Sequence, residues 1–418
     1  MDVSKSLAAS DSSPAALPES MASGLPHRVV VVGAGFAGLR CATALGGDPA
    51  FDVVLVDRDR HRVDKTRLHE VVGAGRGIDL ASLLERTPIE FVQAEVLGID
   101  RRDRRVATAG GPIPYDTLVF ALGGSVDDHG VRGVCEHSLS FNTTTDGTGF
   151  LRTLSMLRRC GERLVIVGGG PTGVEAAAEA ARALDPGRVV LVDNADRLLT
   201  GYTPALATYA SFVLRRAGVR VRPRCKVVEV CDDGVVIAGG ERIVGGAVLW
   251  CGGMRPSSLL AGAWLSEQGR PAAVSSFLAS EVDDHVYVIG DCARSGEVNS
   301  SRPSAQIAVQ QGDFVARDLQ RRRSGETRVP FVGSLLGEFT SLGPADAIGT
   351  LRLGPVWLPL IGPLAWVFKE AGGLRHALVV EGRRLSLAFA NGRLRAKGQR
   401  LRNQSSVATD EPAVVQAA

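Results

Sequence analysis

One pattern occurs twice in this chain and constrains its fold more than any other feature. The β-branched run Val29-Val30-Val31-Val32 is followed by Gly33-Ala34-Gly35-Phe36-Ala37-Gly38 and a helical stretch from about Leu39 to Leu45. A second apolar run, Val53-Val54-Leu55-Val56, then ends on Asp57. The arrangement returns as Leu164-Val165-Ile166-Val167, Gly168-Gly169-Gly170-Pro171-Thr172-Gly173, a helix through Glu175-Ala176-Ala177-Ala178, and Val189-Val190-Leu191-Val192 ending on Asp193. Continuous apolar runs of this length fit strands buried on both faces of a parallel sheet. Each copy is therefore one βαβ unit, and the copies lie about 135 residues apart. The predicted fold class is α/β, with two Rossmann-like dinucleotide-binding domains and a further C-terminal region.

A lone GxGxxG is a weak signal, but here each copy has a strand before it, a helix after it and an acid closing the next strand. Gly33 and Gly168 are expected to make the tight turn. Gly35 and Gly170 let a pyrophosphate approach the backbone, and Gly38 and Gly173 let the helix pack closely on its strand. Phosphates then meet the free N–H groups and positive dipole end of each helix. Asp57 and Asp193 are placed to accept from ribose hydroxyls. Two such sites suit an enzyme that brings a flavin and a nicotinamide face to face for hydride transfer. A carboxylate at Asp193 bonds a 2′-OH and repels a 2′-phosphate, which favours NADH over NADPH; Arg197, nearby, keeps NADPH from being excluded.

Further strand-like runs at Leu118–Ala121, Ala247–Trp250 and Val286–Ile289 each end near a glycine: Gly123, Gly252 and Gly290. From Ser304 to about Arg322 the apolar residues recur at helical spacing. Leu353 to Phe368 is 16 residues without a charge, broken by Pro355, Pro359 and Pro363. That is too short and too Pro-broken for a membrane-spanning helix. The Ser-, Ala- and Pro-rich stretch 1–26 has neither a basic start nor an apolar run, so it reads as a disordered leader and not a signal peptide. Residues 391–418 read as a basic run followed by disordered sequence.

Composition excludes other classes. With 48 basic and 45 acidic residues the net charge is +3, which argues against a nucleic-acid partner. Seven scattered cysteines without a CxxC make no disulfide framework and suit a reducing, cytoplasmic compartment. His69-Glu70 begins an HExxH pattern, but position 73 is Gly, so no zinc motif and no metal are expected.

These motifs resemble the FAD-dependent pyridine-nucleotide oxidoreductases, and within them the chain is most similar to the type II NADH dehydrogenases (NADH:quinone oxidoreductases) over roughly residues 27 to 390. Tyr115-Asp116-Thr117-Leu118-Val119-Phe120-Ala121-Leu122-Gly123 is similar to the family's strand into an ATG-type turn, with Leu122 where Thr is usual. Val288-Ile289-Gly290-Asp291 matches the late GD motif, whose Asp holds the FAD ribityl chain. Ala305-Gln306-Ile307-Ala308-Val309-Gln310 matches the AQxAxQ signature beside flavin and quinone. By the resemblance the first motif binds FAD and the second NAD(P)H. Residues 27–130 and 259–325 then form a discontinuous FAD domain, 131–258 the nicotinamide domain, and 326–390 an acceptor-site, membrane or dimer region. The implied cofactor contacts extend to Phe36, Ala37, Arg58, Arg67, Leu122, Pro171, Thr172, Gly252 and Ala305. Gln306 and Gln310, at i and i+4, share a helical face and could donate neutral N–H groups to quinone or flavin carbonyls. Glu175 stands where the family keeps an acid near flavin and nicotinamide.

Disulfide reductases of this fold carry a reactive cysteine soon after the first acidic strand end, a region that here reads Arg67-Leu68-His69-Glu70. Cys41 lies earlier, inside the first helix. Electrons are therefore expected to leave the flavin directly for an external acceptor, with His69 a candidate proton donor. The family's usual aromatic-Gln-Pro-Leu-Leu-like run is missing at this loop. The leading expectation is transfer from NADH through FAD to a quinone. The alternatives are a soluble biosynthetic flavoenzyme acting on a quinone-like metabolite, or an FAD/NADH-binding redox sensor. The apolar stretch and basic tail suggest a peripheral location on the inner face of the membrane, and the family also suggests a homodimer.

Overall fold

The computed structural model of the protein describes residues 25–62, 64, 68, 77–294 and 304–374. Strands β1 (His27–Val32), β2 (Phe51–Asp57), β3 (Glu90–Gln93) and β4 (Thr117–Phe120) start a first sheet. The chain then builds a second sheet from β5 (Ser138–Leu139), β6 (Leu164–Val167), β7 (Val189–Val192), β8 (Arg220–Arg222) and β9 (Ala247–Trp250). It returns to the first sheet with β10 (Ala279–Ser280) and β11 (Asp283–Val288). The strand orders are β10-β11-β4-β1-β2-β3 and β5-β9-β6-β7-β8. In both sheets the strand that precedes a glycine turn has a parallel neighbour on each side. Val32 pairs with Val56 and Phe120, and Val167 pairs with Val192 and Trp250. That is where strand order reverses and where open α/β sheets leave a crevice at their carboxyl ends.

Local chemistry explains these elements. Val29, Val30, Val31 and Val32 are fully buried, packed in one core with residues of the helix 36–45 and of the antiparallel strands within 96–114. Helix α1 (Phe36–Leu45) starts three residues before the apolar periodicity, since Gly35 is its N-cap. Helix α2 (Pro171–Ala183) likewise takes Gly170 as N-cap and has Pro in its first turn, where a missing N–H costs nothing. Helix α3 (Pro204–Arg216) covers the second sheet, and helix α4 (Ala305–Arg323) lies on α1. A Cβ at Gly312 would collide with the carbonyl oxygen of Ala37, so only glycine lets α4 approach α1 this closely. Deeper along α4, the fully buried Asp318 accepts from Tyr287 (2.7 Å) and from Arg328 (2.6 and 2.9 Å), tying the helix to β11.

The chain enters and leaves the second unit through one antiparallel pair, Gly124–Val126 with Met254–Pro256. A third sheet, β12 (Gly337–Gly343), β13 (Asp346–Leu353) and β14 (Val356–Ile361), is antiparallel throughout. It carries Leu342 and Ile348 into the core of the second unit, and Tyr202 meets Thr340 at 2.9 Å. Helix α5, over 362–374, follows β14. The charge-free stretch is therefore an edge strand and the start of a helix. Among the described residues β14 is the edge of its sheet, where the missing N–H of Pro359 is tolerated. No helix among the described residues is long and apolar enough to cross a membrane.

Candidate active site

Both glycine turns have the same construction. Gly33 sits at φ +103°, and a Cβ there would lie 2.5 Å from the Ala121 carbonyl oxygen; Gly168 sits at φ +111° against the carbonyl of Cys251. A side chain at Gly38 would strike the carbonyl of Gly33, and one at Gly173 that of Gly168. At Gly35 and Gly170 a Cβ would meet nothing within 4 Å. The first and third glycines are thus required by the protein's own backbone, while the second faces open space in each copy. Leu39 and Val174 make the first helical bonds back to Gly35 and Gly170. The amides of Phe36, Ala37 and Gly38, and those of Thr172 and Gly173, precede any intrahelical partner and head the open space. Pro171 contributes shape but no donor. An anionic diphosphate fits both cradles.

The acids do more than the sequence shows. Asp57 accepts from Ala34 N at 2.6 Å and Asp59 N at 2.9 Å. Asp193 accepts from Gly169 N and, at 2.6 Å, from Ala195 N. Each carboxylate therefore holds its glycine turn closed, and a ribose contact would use a remaining lone pair. Burial raises the pKa of Asp57, opposed by its two backbone donors. Arg197 is committed elsewhere than expected: its guanidinium donates to the carbonyls of Leu198, Leu199, Thr200 and Tyr202, at 2.9 to 3.3 Å. It organises the loop after β7 and has little left for a 2′-phosphate.

The later glycines close around these turns. The Cβ position of Gly33 comes within 3.0 Å of Leu122 Cα, and that of Gly168 within 3.1 Å of Gly252 N. Gly123 (φ +63°) accepts from the Cys292 thiol at 2.8 Å. Gly290, at φ +72°, opens the short turn Gly290–Cys292 that carries Asp291, and its Cβ position is 3.6 Å from Ala37 Cβ. The late GD motif is thereby brought to the first turn of α1. Arg58, the residue after Asp57, is exposed and lies 3.6 Å from Asp59. A basic residue the sequence reading missed, Arg62, is 4% exposed with its guanidinium 4.8 Å from the Phe36 ring centre. It lies on a two-residue strand, too short to display any periodicity. Arg67 and His69 lie outside the described residues.

Gln306 and Gln310 share a face of α4, following Ala305 at the start of the helix, and both amides bond protein backbone. Gln306 donates to Gly337 O (2.7 Å) and accepts from Leu336 N (3.2 Å). Gln310 donates to Ser334 O (2.8 Å) and accepts from Ser334 N (2.9 Å). Each amide presents its C=O and N–H as a neighbouring strand would, and together they clasp the segment leading into β12. An i, i+4 spacing fixes the face of a helix but not what lies opposite.

Glu175, two residues past Gly173, is buried and accepts from Ser341 N (2.8 Å) and from Lys369 Nζ (2.7 Å). The pair joins α2 to both β12 and α5, with side chains only 10% and 14% exposed. Lys369 was missed, although it is the first charge after the 16 uncharged residues. The neighbouring Phe368 stacks on Phe339, with ring centres 6.4 Å apart. All seven cysteines are free. Burial pushes the thiols of Cys41 and Cys251 up to about 12, so neither supplies a thiolate near neutral pH.

Similarity to known proteins agrees with this architecture. A type II NADH:quinone oxidoreductase of Staphylococcus aureus (strain NCTC 8325 / PS 47) is 27% identical over 402 residues, covering 88% of this chain and 98% of the relative. NDH2 from Plasmodium falciparum, solved in complex with NADH, superposes with a TM-score of 0.75 at 15% identity, over 87% of this chain and 97% of that one. The ferredoxin reductase for the CYP199A2 system of Rhodopseudomonas palustris gives 0.68 at 23% identity, over 78% and 83%. At those identities the two structures speak to the fold. The profile of the pyridine nucleotide-disulphide oxidoreductases matches residues 27–312, which takes in both glycine turns, both closing acids and the late GD motif, and the chain belongs to that family.

Proposed function

We propose that this chain is an FAD-dependent NADH:quinone oxidoreductase that works without a redox disulfide. The observation that carries the reading is the duplicated cradle: two turns of identical construction, each with its second glycine open to a diphosphate and its acid closing the loop. Its relatives of matching length are type II NADH:quinone oxidoreductases. Residues 27–130 and 259–325 would hold FAD, through the Gly33–Gly38 turn, Leu122-Gly123 and Gly290-Asp291. Residues 131–258 would hold NADH, through the Gly168–Gly173 turn, Gly252 and Asp193. When bound, FAD supplies a ring that takes hydride from nicotinamide and passes two electrons onward.

The chain's own residues supply the remaining requirements. The carboxylate of Asp193, with Arg197 spent on backbone carbonyls, selects NADH over NADPH. Glu175, two residues past the second cradle, is held in a buried pair with Lys369 that fixes α2 against β12 and α5. Neither partner tolerates losing the other, because an unpaired charge at that burial is costly. Gln306 and Gln310 hold the third sheet in register with α4, so the acceptor side stays assembled.

The same C-terminal elements support contact with a lipid surface. Val356, Trp357, Leu358 and Ile361 on β14 are all exposed, as are Leu364 and Val367 on α5. Adjacent strand residues point to opposite faces, so among the described residues both faces of β14 present exposed apolar side chains. Replacing Trp357, Ile361 and Leu364 by Ser should abolish co-sedimentation with anionic liposomes while leaving NADH oxidation with a water-soluble acceptor intact; undiminished sedimentation would remove the membrane from the proposal.

The test of the activity is anaerobic stopped-flow absorbance with NADH, followed by a short-chain quinone analogue. Rapid bleaching of the flavin followed by rapid recovery on quinone is expected. Bleaching without recovery would mean that quinone is not the acceptor.

A further inference from the structure

Just past the acid of the second cradle, β7 and β8 fall out of register. Val192 pairs with Arg222, and Asp193 N donates to Arg222 O at 3.0 Å. The carbonyl of Asp193 accepts from Cys225 N at 2.8 Å, so two residues, Pro223 and Arg224, stand opposite one. Pro223 has no N–H to give, and Arg224 N turns to Ala195 O at 2.8 Å. The extra residue makes a bulge, and bulges re-aim side chains beside functional sites. Arg224 also holds φ +57°, a left-handed conformation that is costly for a residue with a Cβ.

The bulge brings charge to the rim of the second cradle. Arg224 and Lys226 are exposed, while Cys225 between them and Val227 after them are buried. Neighbouring arginines are engaged: Arg222 with Glu241 (2.5 and 2.9 Å), Arg132 with Glu229 (3.2 Å) and Arg242 with Asp233. Among the described residues, the side chains of Arg224 and Lys226 have no such partner. Ala195, which receives Arg224 N, itself donates to Asp193 at 2.6 Å. Two uncommitted cations thus flank the acid expected at the ribose, and NADH has no group there that needs them. NADPH does: its 2′-phosphate sits on the ribose carbon whose hydroxyl Asp193 would bond. We propose that Arg224 and Lys226 bind this 2′-phosphate and make NADPH a second, weaker hydride donor. This rests on the second cradle binding a nicotinamide nucleotide. Asp193 still favours the hydroxyl, and the two cations set how far NADPH falls behind.

Calorimetric titration of the purified holoenzyme with NAD+ and with NADP+, neither of which can reduce the flavin, isolates the contribution of the 2′-phosphate. The double variant Arg224→Gln, Lys226→Gln should bind NADP+ about tenfold more weakly or worse and NAD+ within about twofold of wild type. Anaerobic flavin reduction should show the same split, with half-saturation by NADPH moving upward and that by NADH staying in place. Unchanged NADP+ affinity in the variant would overturn the proposal. Equal weakening of both nucleotides would also overturn it, because the residues would then serve the adenosine end or the fold. So would a wild-type protein that bound NAD+ but not NADP+. A wild-type protein that bound neither nucleotide and was not reduced by NADH would instead defeat the nicotinamide assignment of the second cradle.

Discussion

Asp193 shows how a single residue can serve two purposes at once. Its carboxylate bonds Gly169 N and Ala195 N, so it shapes the second glycine turn and, in the proposed function, sets the charge that the nucleotide's ribose would meet. Asp193→Ala should therefore raise the KM for NADH about tenfold or more and narrow the preference over NADPH, with bound FAD unaffected. Steady-state kinetics with both nucleotides, beside the flavin spectrum, tests this. Unchanged selectivity would mean that neighbouring residues discriminate. Arg197 illustrates the reverse case. Its position near an adenosine site was evident from spacing, but the four carbonyls that occupy it were not, because they come from a loop conformation that spacing does not encode.

At the scale of elements, the clamp between α4 and the start of β12 is the contact most open to test. Gln306→Ala and Gln310→Ala each remove a donor–acceptor pair and should each cost about 1–2 kcal/mol. Faster amide exchange should appear in residues 334–337. Flavin reoxidation by quinone should slow more than reduction by NADH, since the clamp anchors the sheet that meets Glu175 through Ser341. Exchange identical to wild type would show that the third sheet is held by its other contacts, among them Tyr202 with Thr340. The helix itself was readable from its apolar spacing, as were the strands from their valine runs. The start of α1 was placed too late, because glycine N-caps carry no hydrophobic signal.

For the whole molecule, the first residue of β1 is one source of acid sensitivity. His27 is fully buried, bonds Thr117 Oγ1 at 2.9 Å, and has its pKa lowered by burial to about 4 from the usual 6.5. The unfolded chain takes up this proton near pH 6.5, whereas the folded protein resists it until about pH 4. Stability from this site is complete above pH 6.5 and is lost as the pH falls toward 4, on the order of 3 kcal/mol in all. In denaturant titrations between pH 7 and pH 4.5, His27→Gln should start less stable and show a shallower decline. Parallel declines would place the acid sensitivity in the carboxylates instead.

What the sequence determined by itself was a set of features written in contiguous residues: the two βαβ units, the spacing of the glycines, and the acids at the strand ends. Those features are local because a turn, a strand and a helix cap are built from neighbours, and their steric demands show in residue type. Only the tertiary structure decided what meets across distance. It paired Glu175 with Lys369, separated by 194 residues, turned Gln306 and Gln310 onto backbone, and set Arg62 over Phe36. Such contacts depend on how the sheets and helices pack against one another, and spacing along the chain carries no record of that packing.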